Sequence, residues 1–226
     1  EGGDTGDTGN TGNTGNTGNT GNTGNTLPSE STRYNTVTWN SLTSDTTITP
    51  QTNIAGASIV TGQQSVKITN VLNTTFTVTW LSNSPVIGKV TYGASMDNLD
   101  KTAYDDRDTQ ATQTPFYSHH VTVSSLTNGG TYYFTISSGE ETYKDGTNPY
   151  VVNLSTATTD VPPLKTLTGN IVDKGYGDTI IYAYVEDPAG TKGKSKLKST
   201  VVNTNGTWTI GSISEVYTES GLTYYN

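Results

Sequence analysis

The side chains with the most chemical capacity are few. His119 and His120 are the only histidines and cysteine is absent, so thiolate chemistry, a disulfide framework and a Cys/His zinc cage are all excluded. Neighbouring residues of a strand point to opposite faces, so the two imidazoles cannot chelate one ion together. A histidine-centred triad has too few parts, and a structural or surface role is expected for both. The second group is acidic, with Asp97, Asp100, Asp105, Asp106 and Asp108 in the stretch before the histidines. Oxygen-rich loops hold calcium, which makes Asp105, Asp106 and Asp108 calcium candidates. Their spacing is not that of the twelve-residue calcium loop, and a solvated acidic loop is the competing reading. Nothing places a general acid and base across a cleft, so no catalytic residue and no cofactor is assigned.

Modification chemistry has more to work with. Asn73, Asn153 and Asn205 each begin an Asn-x-Ser/Thr acceptor sequence. The repeat asparagines near the N-terminus do not, because glycine follows each threonine there; sugars on the repeat would sit on Thr11, Thr14, Thr17, Thr20 and Thr23. An intramolecular amide cross-link would need Lys67 or Lys165 beside Asn153 and a buried carboxylate.

Glycine recurs at every third position from Gly3 through Gly6, Gly9, Gly12, Gly15, Gly18, Gly21 and Gly24, first as Gly-Asp-Thr and then as Gly-Asn-Thr. Three residues per turn is the polyproline-II repeat, and glycine on every turn lets three chains share a crowded axis. Residues 1–26 resemble a collagen-like segment, on the order of 70 Å long at ~3 Å per residue. No proline stiffens the repeat, so order would come from sugars on threonine or from lateral packing in a fibre. A flexible Gly/Asn/Thr tether is the alternative. The eight glycines are the assembly residues of the first reading.

The elements that must position these groups are strands. The 226-residue chain is rich in threonine, with one methionine and a net charge of −8, a balance that favours β structure and argues against nucleic acid. No apolar run approaches ~18 residues, so no membrane span is expected. Residues 27–64 are polar and read as a linker, an extra strand or a strand donated to a neighbouring subunit. Their one convincing extended piece is residues 34–39, where Val37 and Trp39 share a face; both are assembly candidates. Residues 65–159 read as short alternating strands at sandwich spacing, best marked by Phe76, Val78 and Trp80. Residues 160–164 hold a stiff Val-Pro-Pro linker, and residues 165–226 alternate again, with Asn205-Gly206 suited to a tight hairpin.

Trp80 ending the second strand, followed by Leu126, a glycine turn and Tyr132, resembles a fibronectin type III domain. That resemblance implies Trp80 at the core and Tyr132 as the corner that ties a loop to a strand start. Lys-Val-Thr-Tyr-Gly at 89–93 and His-His-Val-Thr-Val at 119–123 are similar to the fibronectin-type modules that precede catalytic domains in secreted phosphatases. Gly169-Asn170-Ile171-Val172-Asp173 and Asn205-Gly206-Thr207-Trp208-Thr209-Ile210 resemble a carboxypeptidase-regulatory or transthyretin-like sandwich, a strand short of complete. The expectation is an all-β chain of two tandem sandwiches behind an extended Gly-x-Thr segment. Its expected role is that of a non-enzymatic structural protein at the cell surface or outside it, self-associating as a trimer or filament. The alternative is an adhesin or glycan-binding accessory module of a secreted hydrolase, with the repeat as a tether.

Overall fold

In the computed structural model, residues 35–38, 47–50, 66–156, 163–171, 178–186 and 194–218 are described. The repeat glycines and threonines and Trp39 lie outside them, as do residues 157–159 and residues 160–162 of the proline linker. The described residues form strands and one 3₁₀ turn, an all-β architecture.

The first sandwich faces a three-stranded sheet against a larger one. The smaller sheet runs β3 (Lys67–Thr69), β4 (Phe76–Val86), β7 (Phe116–Val123), antiparallel throughout. The larger has β8 (Thr131–Ser138) between β5 (Gly88–Gly93) and the pair β9 (Glu141–Tyr143) and β10 (Tyr150–Asn153), with β6 (Lys101–Tyr104) beyond β5. Alternation decides what is inside. Phe76, Val78 and Trp80 are fully buried against Val90, Phe134 and Ile136 of the opposite sheet. The ring of Phe134 lies 5.6 Å from Phe76 and 5.2 Å from Tyr150, in the offset range that aromatic pairs favour. Trp80 donates its indole N–H to Ser138 Oγ at 3.2 Å, and Tyr132 Oη accepts the Thr127 amide at 2.9 Å. Core tryptophan and corner tyrosine thus stand where the resemblance put them.

The stretch between Gly93 and the histidines is more structured than an acidic loop. It contains β6, and β7 begins at Phe116, ahead of the histidines. Lys101-Thr102-Ala103-Tyr104 lacks apolar alternation because it is an outer strand with half-exposed or exposed side chains.

The second sandwich pairs β11 (Leu167–Asn170) with β14 (Thr207–Ile210) and β12 (Ile180–Ala183) with β13 (Lys198–Val201). Between them lie Leu167, Ile181, Val202, Trp208, Ile210 and Val216. Gly169 is required here: a Cβ on it would stand 2.3 Å from the Trp208 ring. The polar N-terminal region supplies two more strands, β1 (Asn35–Thr38) and β2 (Thr47–Pro50). They form an antiparallel hairpin, and β1 adds in parallel to the edge of β12 with Thr36 opposite Tyr182. The sheet order is therefore β13-β12-β1-β2. The sequence-adjacent sandwich is bypassed, and the far one gains a hairpin from the same chain at its β12 edge.

Candidate functional site at the junction of the sandwiches

The outward face of β3, β4 and β7 carries Thr69, Thr77, Thr79, Ser118 and His120, the polar half of the alternation. Such residues ordinarily meet water, yet the three threonines and Ser118 are fully buried and His120 is 5% exposed. The second sandwich covers them. Thr79 Oγ1 and Tyr182 Oη are 2.7 Å apart, and the Lys67 ammonium stands over the Tyr182 ring at 5.8 Å. Asn70 adopts the left-handed region at φ 49°, which asparagine tolerates better than most residues. Its carboxamide then treats Ser199 as a strand neighbour would: Oδ1 accepts the Ser199 amide at 2.9 Å and Nδ2 donates to the Ser199 carbonyl at 3.1 Å.

Ser199 Oγ is the hub of the junction. It lies 2.6 Å from Thr69 Oγ1, 2.9 Å from His120 Nε2 and 3.3 Å from Asn70 Nδ2. On its far side His120 presents Nδ1 to Asp106 Oδ2 at 2.7 Å, and Asp106 is held by the Thr122 amide and hydroxyl at 2.8 and 2.7 Å. An Asp106–His120–Ser199 row therefore exists, although the sequence, with its two histidines, reads as too poor for one. Its members are remote in the chain and carry no local signature.

That row has the connectivity of a nucleophile, a base and an orienting acid. The serine of this row, 6% exposed, is nearly closed to solvent. A cleft of about 360 Å³ opens beside it, lined by Asp106, Arg107, His120 and the β13 end from Thr200 to Thr204, but not by Ser199. The serine hydroxyl points instead at Thr69 and Asn70, so a molecule in the cleft meets the imidazole and the carboxylate without reaching the hydroxyl. The row works as a fastener. Ser199→Ala is expected to lower stability by about 1–3 kcal/mol, the cost of unsatisfied buried polar groups, measured by urea denaturation; an unchanged midpoint would show the hub to be dispensable.

A charged knot lies next to the row. Asp105, 1% exposed, accepts Arg107 Nε at 2.7 Å and the Arg107 amide at 3.1 Å on Oδ1, and Arg107 Nη2 at 2.9 Å and the His120 amide at 3.0 Å on Oδ2. Arg107 also donates to the Ser118 carbonyl, lies over the Phe116 ring at 3.6 Å and reaches Asp178 of the second sandwich at 3.6 Å. Asp178 Oδ1 accepts the Tyr117 amide at 3.1 Å across the junction. Burial alone would push the Asp105 carboxyl up. Hydrogen bonds from Arg107, the nearby His119 imidazole, the Arg107 charge and the His120 amide outweigh it and hold this carboxyl far below the usual carboxylate range.

His119 faces the other way, fully buried and stacked on Trp80 with ring centroids 4.5 Å apart. Its Nδ1 is 3.6 Å from Asp105 Oδ2, and Gly88 makes room for it, since a Cβ there would lie 2.2 Å from that nitrogen. The calcium candidates do not converge. Asp105 is committed to Arg107, Asp106 to His120 and Thr122, and Asp108 Oδ1 to the Thr114 amide at 3.0 Å; among the described residues no three acidic or histidine side chains gather as an ion site. The solvated-loop reading also fails for Asp105, which is interior. Of the modification candidates, Asn205 is exposed at the β13–β14 turn, Asn153 is exposed and accepts Thr131 Oγ1 at 2.8 Å, and Asn73 is half-buried. Val37 lies in β1.

Residues 62–157 match the family model of the purple acid phosphatase N-terminal domain, which coincides with the first sandwich. A crystal structure of chicken CNTN1 FN1–FN3 domains is similar at 17% identity and a TM-score of 0.25, over 66% of this chain and 54% of that one. The chain thus spans about half the length of that structure. No curated protein matches.

Proposed function

We propose that the chain is an extracellular structural protein, the subunit of a surface fibre gathered by its Gly-x-Thr repeat and built up from paired sandwiches. The observation that supports this reading is the junction itself. The carboxylates, the imidazole and the serine hydroxyl that sequence and geometry offer for chemistry are engaged in fastening two sandwiches together. Such a fastening makes a stiff body, which a fibre needs. The test is mass in solution, by light scattering, for residues 1–226 beside residues 27–226. A trimer or longer polymer that falls to monomer on truncation is expected. Two monomers would overturn the reading.

The match to the phosphatase N-terminal domain favours a second reading, since that domain is the non-catalytic part of its family. In it the chain is an adhesin or an accessory module of a secreted hydrolase, with the repeat as a tether and the cleft beside His120 as a place for a glycan unit. Binding of a polymeric glycan by monomeric protein would select this reading over the first.

A further inference from the structure

We infer that the β1–β2 hairpin is an exchangeable arm, and that in the assembled protein the β12 edge receives the hairpin of a second copy of this chain. The inference rests on the fibre reading above and names the contact by which its subunits join.

Three features carry it. The hairpin precedes the first sandwich in the chain but pairs with the second, among the described residues through the strand contact between β1 and β12. The acceptor edge is prepared without the arm: β12 is held on its other side by β13 and fixed to the first sandwich through Tyr182 and Thr79, while β13 is fixed through Ser199. An unoccupied edge of this kind is a template for any strand that reaches it. Finally, sixteen residues, 51–66, separate Pro50 from Lys67, a length that reaches at most roughly 55 Å. The same backbone pairing therefore forms whether the arm belongs to its own chain or to a neighbour.

Local concentration chooses between them. A short tether presents its element at millimolar effective concentration, so pairing within one chain prevails in dilute solution. Chains gathered by their triplet repeats hold neighbouring arms equally close, and exchange then adds no new contact and loses none. Passed head to tail from copy to copy, such an exchange is heterologous and open-ended, the geometry of a filament rather than a closed dimer.

The absence of cysteine makes the test clean. Thr36→Cys and Tyr182→Cys in one chain place two thiols at facing strand positions, at the strand spacing a disulfide accepts; the second change gives up the Tyr182–Thr79 contact and leaves the edge held through β13 and Ser199. Oxidised at assembly concentration and run without reductant, residues 1–226 are expected to give a covalent ladder. The same pair in residues 27–226 is expected to lose the ladder and leave only the internally linked monomer. An equimolar mixture of the two single variants, which keeps one native partner in each chain, should give the mixed dimer, and tryptophan fluorescence reports that both variants are folded. A subunit that associates by light scattering but yields only internally linked monomer would overturn the exchange and leave the fibre reading standing. A subunit that never associates would overturn both.

Discussion

Replacing Asp105 by alanine should cost about 3–5 kcal/mol, the usual penalty for stranding one member of a buried ion pair. Asp105 is interior and answers three Arg107 donors and the His120 amide, so its loss leaves a guanidinium at the junction without its main counter-ion and a strand amide without an acceptor. The nearby Asp178, 3.6 Å from Arg107, offsets a part of this. The pH dependence gives an independent reading. Because the folded-state pKa lies below the unfolded one, the carboxylate contributes stability that is fully present above the ordinary aspartate range, about 4, and is lost as pH falls through that range towards the folded value. Denaturant midpoints measured across acid pH should therefore fall steeply in the parent protein and more gently in Asp105→Ala. Parallel curves would show that another carboxylate governs acid unfolding.

The second large effect is expected from Trp208→Ala. Trp208 is 4% exposed, lies on Gly169 and belongs to a small core; truncation of a buried aromatic costs about 3–5 kcal/mol, a large share of what a sandwich of this size holds in reserve. The loss should also spread. Thr69, Thr79 and His120 are buried and Asn70 half-buried against strands of the second sandwich, so unfolding it returns a desolvated polar face to water and removes its partners. Thermal unfolding followed at Trp80, with Trp39 replaced by Phe so that one reporter remains, should then shift down as well. If the first sandwich melts at its parental temperature, the junction contributes little to its stability.

What the sequence makes legible is what alternation and turn chemistry can carry. Phe76, Val78 and Trp80 announce their strand and its inward face, and Tyr132 behind a glycine turn announces its corner. The short strands β6 and β9 escape because Lys101–Tyr104 and Glu141–Tyr143 are polar outer strands with little to bury. The junction escapes for a more general reason. A threonine face reads as the wet side of a sheet, and Thr69, Thr77 and Thr79 follow that pattern while being fully buried. Only the partner surface, more than a hundred residues further on, shows that the face is covered. The same distance hides the row through Asp106, His120 and Ser199, whose members share no motif. Counting histidines correctly finds too few for a conventional site and misses that one of them suffices for a fastener.

The bypass made by β1 also sets a path for force. In the proposed fibre, tension entering ahead of β1 would pass from β1 into the β12 strand it pairs with, and so into a second sandwich. The first sandwich hangs beside that line, held by its junction with the second. A fibre of such subunits would stretch or yield at the added hairpin long before the fibronectin-like body bore any load, and that body would be free to serve as its outer surface.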